Sequence, residues 1–214
     1  MTARPRTPDE TYAPAIALAK QQFAHSDPVR IAALAGVHLF RPKATSGLFS
    51  IPFLGTEYGV LWPEGDAHQS AGQVAADITT HILLLHYLLT ADGTLMTNQW
   101  IAFRTLPGGL GYDAAFQGRA NLRLAQRFGS DGTAFEAAAM ALAGERLAFG
   151  DLSFCFRVLP SLWLAAVLHL ADDEFAAEAS VLFDGAARHY LPTEDLAVLG
   201  GLLSSRLIKA ARTG

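Results

Sequence analysis

Apolar side chains recur at helical spacing over residues 9–24, which predicts an amphipathic N-terminal helix. Asp27-Pro28 then places a capping side chain and a first-turn proline ahead of Val29, Ile31 and Leu34, so a second helix should follow and end near Gly36. The texture changes over residues 37–62 to short β-rich runs at 37–40, 48–53 and 58–62, punctuated by Gly47, Gly55 and Pro63, as in a small antiparallel meander. Residues 77–89 are apolar nearly all round, which predicts a central, buried helix, terminated by Asp92-Gly93. A strand is expected at 100–104, a turn at 106–111 that opens a helical segment through Phe128, and an Ala-rich helix at about 133–143. Leu152, Phe154, Phe156 and Val158 alternate with Ser153, Cys155 and Arg157 at the period of a half-buried strand, and residues 162–170 are apolar on both faces, as in a central one. After the acidic turn Asp172-Asp-Glu174 come a short strand at 180–183 and a closing helix. That helix carries Pro192, Glu194 and Asp195 at its start, Leu196, Leu199, Leu203 and Leu207 on one side, and Lys209 and Arg212 at its end, where the helix dipole favours each charge. Helices and strands follow no regular βαβ order and no repeat or low-complexity linker interrupts them, so the expected fold is α+β, a single domain over 1–214 with a mainly antiparallel sheet and helices at both ends.

Composition narrows the partners. Of 214 residues, 51% are hydrophobic and only 17% charged, against roughly 25% in an average soluble protein, so much of the chain must be buried or packed against something. The net charge of −4 comes without any basic run, which argues against nucleic acid. Arg4 and Arg6 are followed by Pro8, Asp9 and Glu10 instead of an apolar run, so no secretory leader is expected and the location should be cytoplasmic. The apolar stretches 82–89 and 162–170 each contain a histidine and fall short of the ~18–20 residues that cross a bilayer, so no membrane span is expected. Cys155 is the sole cysteine, which excludes an intrachain disulfide and any thiolate-ligated zinc or iron–sulfur site built from this chain alone. Its place in an alternating strand predicts a buried, inert thiol.

Several side-chain groups could carry chemistry. Asp172, Asp173, Glu174, Glu178, Asp184, His189, Glu194 and Asp195 form the densest polar block, and oxygen donors beside a histidine suit a divalent metal, with Asp172, Asp173, Glu174 and Asp184 the candidate ligands. The alternative is that Asp172 to Glu174 form a solvated turn, that Glu194 and Asp195 cap a helix, and that Asp184 and Arg188 make an i, i+4 ion pair. His81 and His86 stand five residues apart on the apolar helix, ~140° around its axis, which spoils joint ligation of one metal and suits hydrogen-bonded core histidines. Gly109-Leu-Gly111 imitates part of a dinucleotide fingerprint, but Pro107 interrupts the strand-to-turn step. The turn at Gly108 and Gly109 could still present N–H groups to an anion beside Arg104 or Arg119. No Walker A loop, nucleophile elbow, His-Glu-x-x-His or kinase set occurs.

Two blocks carry a resemblance. His86-Tyr-Leu-Leu-Thr-Ala-Asp-Gly93 with Trp100-Ile-Ala-Phe-Arg104 and Leu106-Pro-Gly-Gly109, and Asp172-Asp-Glu-Phe175 with Leu182-Phe-Asp184 and His189-Tyr-Leu-Pro-Thr-Glu-Asp195, together with Pro52-Phe-Leu-Gly55, resemble the bacterial and archaeal domain of unknown function 3786. The family has no assigned activity, and some members resemble fusions to a four-cysteine iron–sulfur domain of the corrinoid-protein kind, which this chain lacks. The resemblance implies a cofactor- or partner-binding accessory protein in corrinoid-linked anaerobic one-carbon metabolism. A corrinoid or haem, both tetrapyrrole-type groups, would be the ligand, with His86 or His189 as axial ligand and Arg104 and Arg119 facing its anionic groups. The alternatives are a metal-dependent enzyme built on the acidic block and a docking module for an iron–sulfur or corrinoid protein.

Overall fold

The computed structural model describes residues 8–213. It is an α+β fold with helices at both ends and two antiparallel sheets. The backbone gathers into two compact units. One holds the described residues through Thr94 together with His189–Leu191, and the other holds Leu95–Arg188 and the residues from Pro192 onward.

In the first unit, α1 (Pro8–Ala24) and α2 (Pro28–Ala35) precede the meander β1 (His38–Lys43), β2 (Ser46–Phe53), β3 (Thr56–Trp62) and β4 (Ala67–Gln69), whose strands lie side by side in chain order. The Asp27 side chain accepts the Val29 N–H and Gly36 closes α2 in the left-handed region, as the sequence predicts. Leu54 and Gly55 both have positive φ at the β2–β3 turn, the conformation that matches the strand twist of a two-residue hairpin. Gly47 lies inside β2, where it pairs with Trp62, and is no turn. Along β2 the burial alternates, so Phe49, Ile51 and Phe53 point inward. The Phe49 ring meets Phe23 of α1 at 5.4 Å between centroids, and the Trp62 Nε1–H donates to the Phe23 carbonyl. Helix α3 (Ile78–Thr90) is capped by Asp77, whose carboxyl accepts the Thr80 N–H at 3.0 Å. Its Leu83, Leu84, Leu85, Tyr87 and Leu88 are buried, the central helix that its continuous apolar run implies.

The second unit is built on a five-stranded sheet in the order β5 (Trp100–Ala102), β9 (Glu178–Asp184), β8 (Leu162–His169), β7 (Leu152–Leu159), β6 (Glu145–Arg146). β7 and β8 are buried on both faces over most of their length, so β7 is not the half-buried strand its alternation predicts: Ser153 and Cys155 are buried along with Phe154 and Phe156. α7 (Thr193–Thr213) buries Leu196, Leu199, Leu203 and Leu207. Phe103, Phe116 and Phe183 stack in one cluster, with the Phe103 and Phe116 centroids 4.4 Å apart. Gly200 of α7 admits that cluster, since a Cβ there would stand 2.6 Å from the Phe116 ring.

Three local features depart from expectation. The strand at Trp100 stops at Ala102, because Phe103–Thr105 tightens into a 3₁₀ turn that buries Phe103. The expected helix through Phe128 is divided into α4 (Asp113–Phe116), a π-helical turn at Gln117–Asn121 and α5 (Leu122–Phe128). β4 and β6 are too short for periodicity to reveal. α6 (Gly132–Ala141) packs against α7, starting at the Asp131 cap.

Candidate functional site

His189 is held by a carboxyl that local sequence does not put beside it. Its Nδ1 lies 2.7 Å from Asp92 Oδ2, and both residues belong to the first unit. Asp92 follows α3 directly and accepts the Thr94 N–H at 2.9 Å, so its orientation is set by the chain's own turn. Hydrogen bonds from Thr94 and then from His189 hold its carboxyl down at about 2, well below the ordinary carboxylate value. An ionised Asp92 favours the proton on Nδ1, the tautomer in which Nε2 carries the ring's lone pair. The side chain of His189 is 32% exposed. The next residue, Tyr190, is buried, stacks on Tyr87 at 5.8 Å and donates its hydroxyl to the Thr94 carbonyl, which fixes the segment that carries His189.

The other histidine candidate, His86, is half-buried on α3 and already engaged within the fold. His81 uses its Nε2–H on the Gly65 carbonyl at 2.7 Å, and burial pushes its pKa down. Both are half-buried on α3.

In the second unit a groove of about 640 Å³ runs beside the first half of β9. One wall is Ala102 to Arg104, the other the π-helical turn and the start of α5, and the floor includes Phe116 and residues 177–182. Arg104 lines it and is exposed, whereas Arg119 is not among the lining residues. Asn121 is buried between turn and strand: its Oδ1 accepts the Val181 N–H at 2.9 Å and its Nδ2–H donates to Gln117. Gly108 and Gly109 serve the backbone. Gly108 sits at φ +75°, a Cβ on Gly109 would fall 2.1 Å from the Phe103 carbonyl, and the Gly109 N–H is spent on Leu106.

The acidic block is not brought together. Among the described residues no three His, Cys, Asp or Glu side chains gather as a metal would require. Asp172 accepts the Glu174 and Phe175 N–H groups, which hold its pKa down and close a tight turn, while Asp173 and Glu174 are exposed. Asp184 is 2% exposed and accepts from the Thr97 N–H, the Thr97 hydroxyl and the Ala186 N–H. It ends a strand, so the helical pair with Arg188 has no helix to form on. Asp92, Thr97 and Asn121 were not singled out by their sequence neighbourhood. Only the Thr-Ala-Asp-Gly93 block pointed toward the first of them.

The model of the domain of unknown function (DUF3786) matches residues 27–206. The chain belongs to the DUF3786 family. No curated protein and no solved structure matches it. The DUF3786 match spans both units and includes Asp92, His189 and the groove. Among the described residues no helix is long and apolar enough to cross a membrane.

Proposed function

We propose that this DUF3786 protein is a cytoplasmic accessory protein that binds a metal-containing cofactor of the corrinoid or haem type, with His189 as axial ligand and Asp92 as the group that orients it. The Asp92–His189 hydrogen bond carries the reading, because a ligating imidazole is typically fixed through its other ring nitrogen by a carboxyl or carbonyl oxygen. The bound metal would supply the coordination centre. The chain's own part is to hold the ring, keep the proton on Nδ1 and present Nε2. His86 is the alternative axial ligand, and His189 is preferred for the carboxyl that orients it. A place in anaerobic one-carbon metabolism is part of the same proposal and rests on the family's fusions alone. The metal-dependent enzyme built on Asp172, Asp173, Glu174 and Asp184 finds no gathered ligand set among the described residues to favour it.

Titration with aquocobalamin and, separately, with haemin under anaerobic conditions tests it. The expected result is a saturable shift in the visible spectrum with one of the two, lost in His189→Ala, retained in His86→Ala, and weakened roughly 10–100-fold in Asp92→Asn. Absence of a shift with both, or a shift that His189→Ala leaves intact, overturns it.

A further inference from the structure

The groove beside β9 has a regular hydrogen-bonding pattern that the cofactor reading does not use. Backbone groups along an antiparallel strand face alternate neighbours. On its β5 side, β9 offers Gly185, whose N–H reaches the Gln99 carbonyl, then Phe183, paired with Ile101, then Val181, whose N–H is met by Asn121 Oδ1. The same alternation turns the Ala179 N–H and the carbonyls of Ala179 and Val181 toward the groove. β5 ends at Ala102, opposite Leu182, and among the described residues no strand continues along 178–181 on that side. Asn121 thus stands in for one carbonyl of an absent strand, and the rest of that edge is unpaired by any strand.

We infer that this edge is a docking site for an extended peptide segment of a partner protein, added as a strand antiparallel to β9, with an acidic residue at its N-terminal end and a basic residue at its C-terminal end. The chemistry of the walls selects this occupant. The polar backbone groups are strung along the strand, two residues or ~7 Å apart, as the main chain of another strand would meet them, and do not converge on one point as a small anion would require. The two exposed charged side chains have opposite signs and stand toward opposite ends, Arg104 just beyond the Ala102–Leu182 pair and Glu178 at the start of β9. A segment continuing the direction of β5 would pass Arg104 first and Glu178 last, which sets the order of its charges. Its alternate side chains would fall on Phe116, Leu122, Ala125 and Ala177. The edge is recessed between the turn at Phe103 and the π-helical turn, so a single narrow segment fits where the sheet of a second copy would not.

The test is panning of a phage-displayed random linear decapeptide library on the full chain, with counter-selection on Gly118→Trp. Gly118 lines the groove, has no atom within 4 Å of a Cβ and needs no positive φ, so the backbone tolerates a side chain there and a bulky one should obstruct the site. Expected are alternating apolar sequences running acidic to basic, whose synthetic forms protect the Ala179 amide from hydrogen exchange and bind Gly118→Trp at least tenfold more weakly. The double variant Arg104→Glu, Glu178→Lys should prefer the reversed charge order. Failure to enrich peptides over Gly118→Trp overturns the inference. So does enrichment indifferent to the charge reversal, or stabilisation by inorganic phosphate through Arg104 with no peptide bound.

Discussion

Asp184 looked like a metal ligand in the chain and is a structural acceptor in the fold. Two backbone N–H groups and one hydroxyl depend on it in a buried place. Asp184→Ala orphans both N–H groups, each worth ~1–3 kcal/mol when left unpaired, so urea denaturation should show a loss of about 3 kcal/mol, while Asp184→Asn, which keeps one oxygen, should lose about half. His81 titrates in the opposite sense to a surface histidine. Its folded pKa lies below the ordinary 6.5 because burial disfavours the charged ring, so the unfolded chain binds the proton first as the pH falls. Stability should therefore be at its plateau above about pH 6.5 and decline below it. In His81→Gln this decline should be smaller, as followed by the urea midpoint between pH 7.5 and 5.5. Asp92, held at about 2, acts in a lower window. Its contribution is present above about pH 4 and is lost as the pH falls toward its folded value, so Asp92→Asn should flatten the acid limb there.

At the scale of elements, regular segments followed from periodicity and irregular ones did not. α3 and α7 were legible because their leucines repeat within a few residues, and β7 because Leu152, Phe154, Phe156 and Val158 alternate. The π-helical turn at Gln117–Asn121 was not legible, since its reason lies 60 residues away in the Val181 N–H that Asn121 must reach. One extra residue in a helical turn re-aims such a side chain. Asn121→Ala should cost about 1 kcal/mol in thermal or urea unfolding and speed hydrogen exchange at the Val181 amide by about tenfold, because that N–H then faces only the groove.

For the whole molecule, the spread of the acidic residues matters more than their number. Asp172 closes its own turn, Asp184 serves Thr97 and Ala186, and the block's His189 is met by Asp92 from outside it, so groups crowded in the chain are assigned to separate tasks. Adding Mg²⁺ to about 10 mM should accordingly leave the melting temperature within about 1 °C, since a cation stabilises only through a site that the native state holds ready.

The sequence by itself determined the family, the α+β class, the meander and the buried helices and strands, because each is written in short-range patterns or long ordered blocks that neighbouring residues impose on one another. Tertiary structure alone decided that Asp92 meets His189, 97 residues later, that Thr97 meets Asp184 across 87, and that an unpaired strand edge opens beside Arg104. Those pairings depend on where folded strands and turns deliver distant polar groups, and side-chain periodicity carries no information at that range.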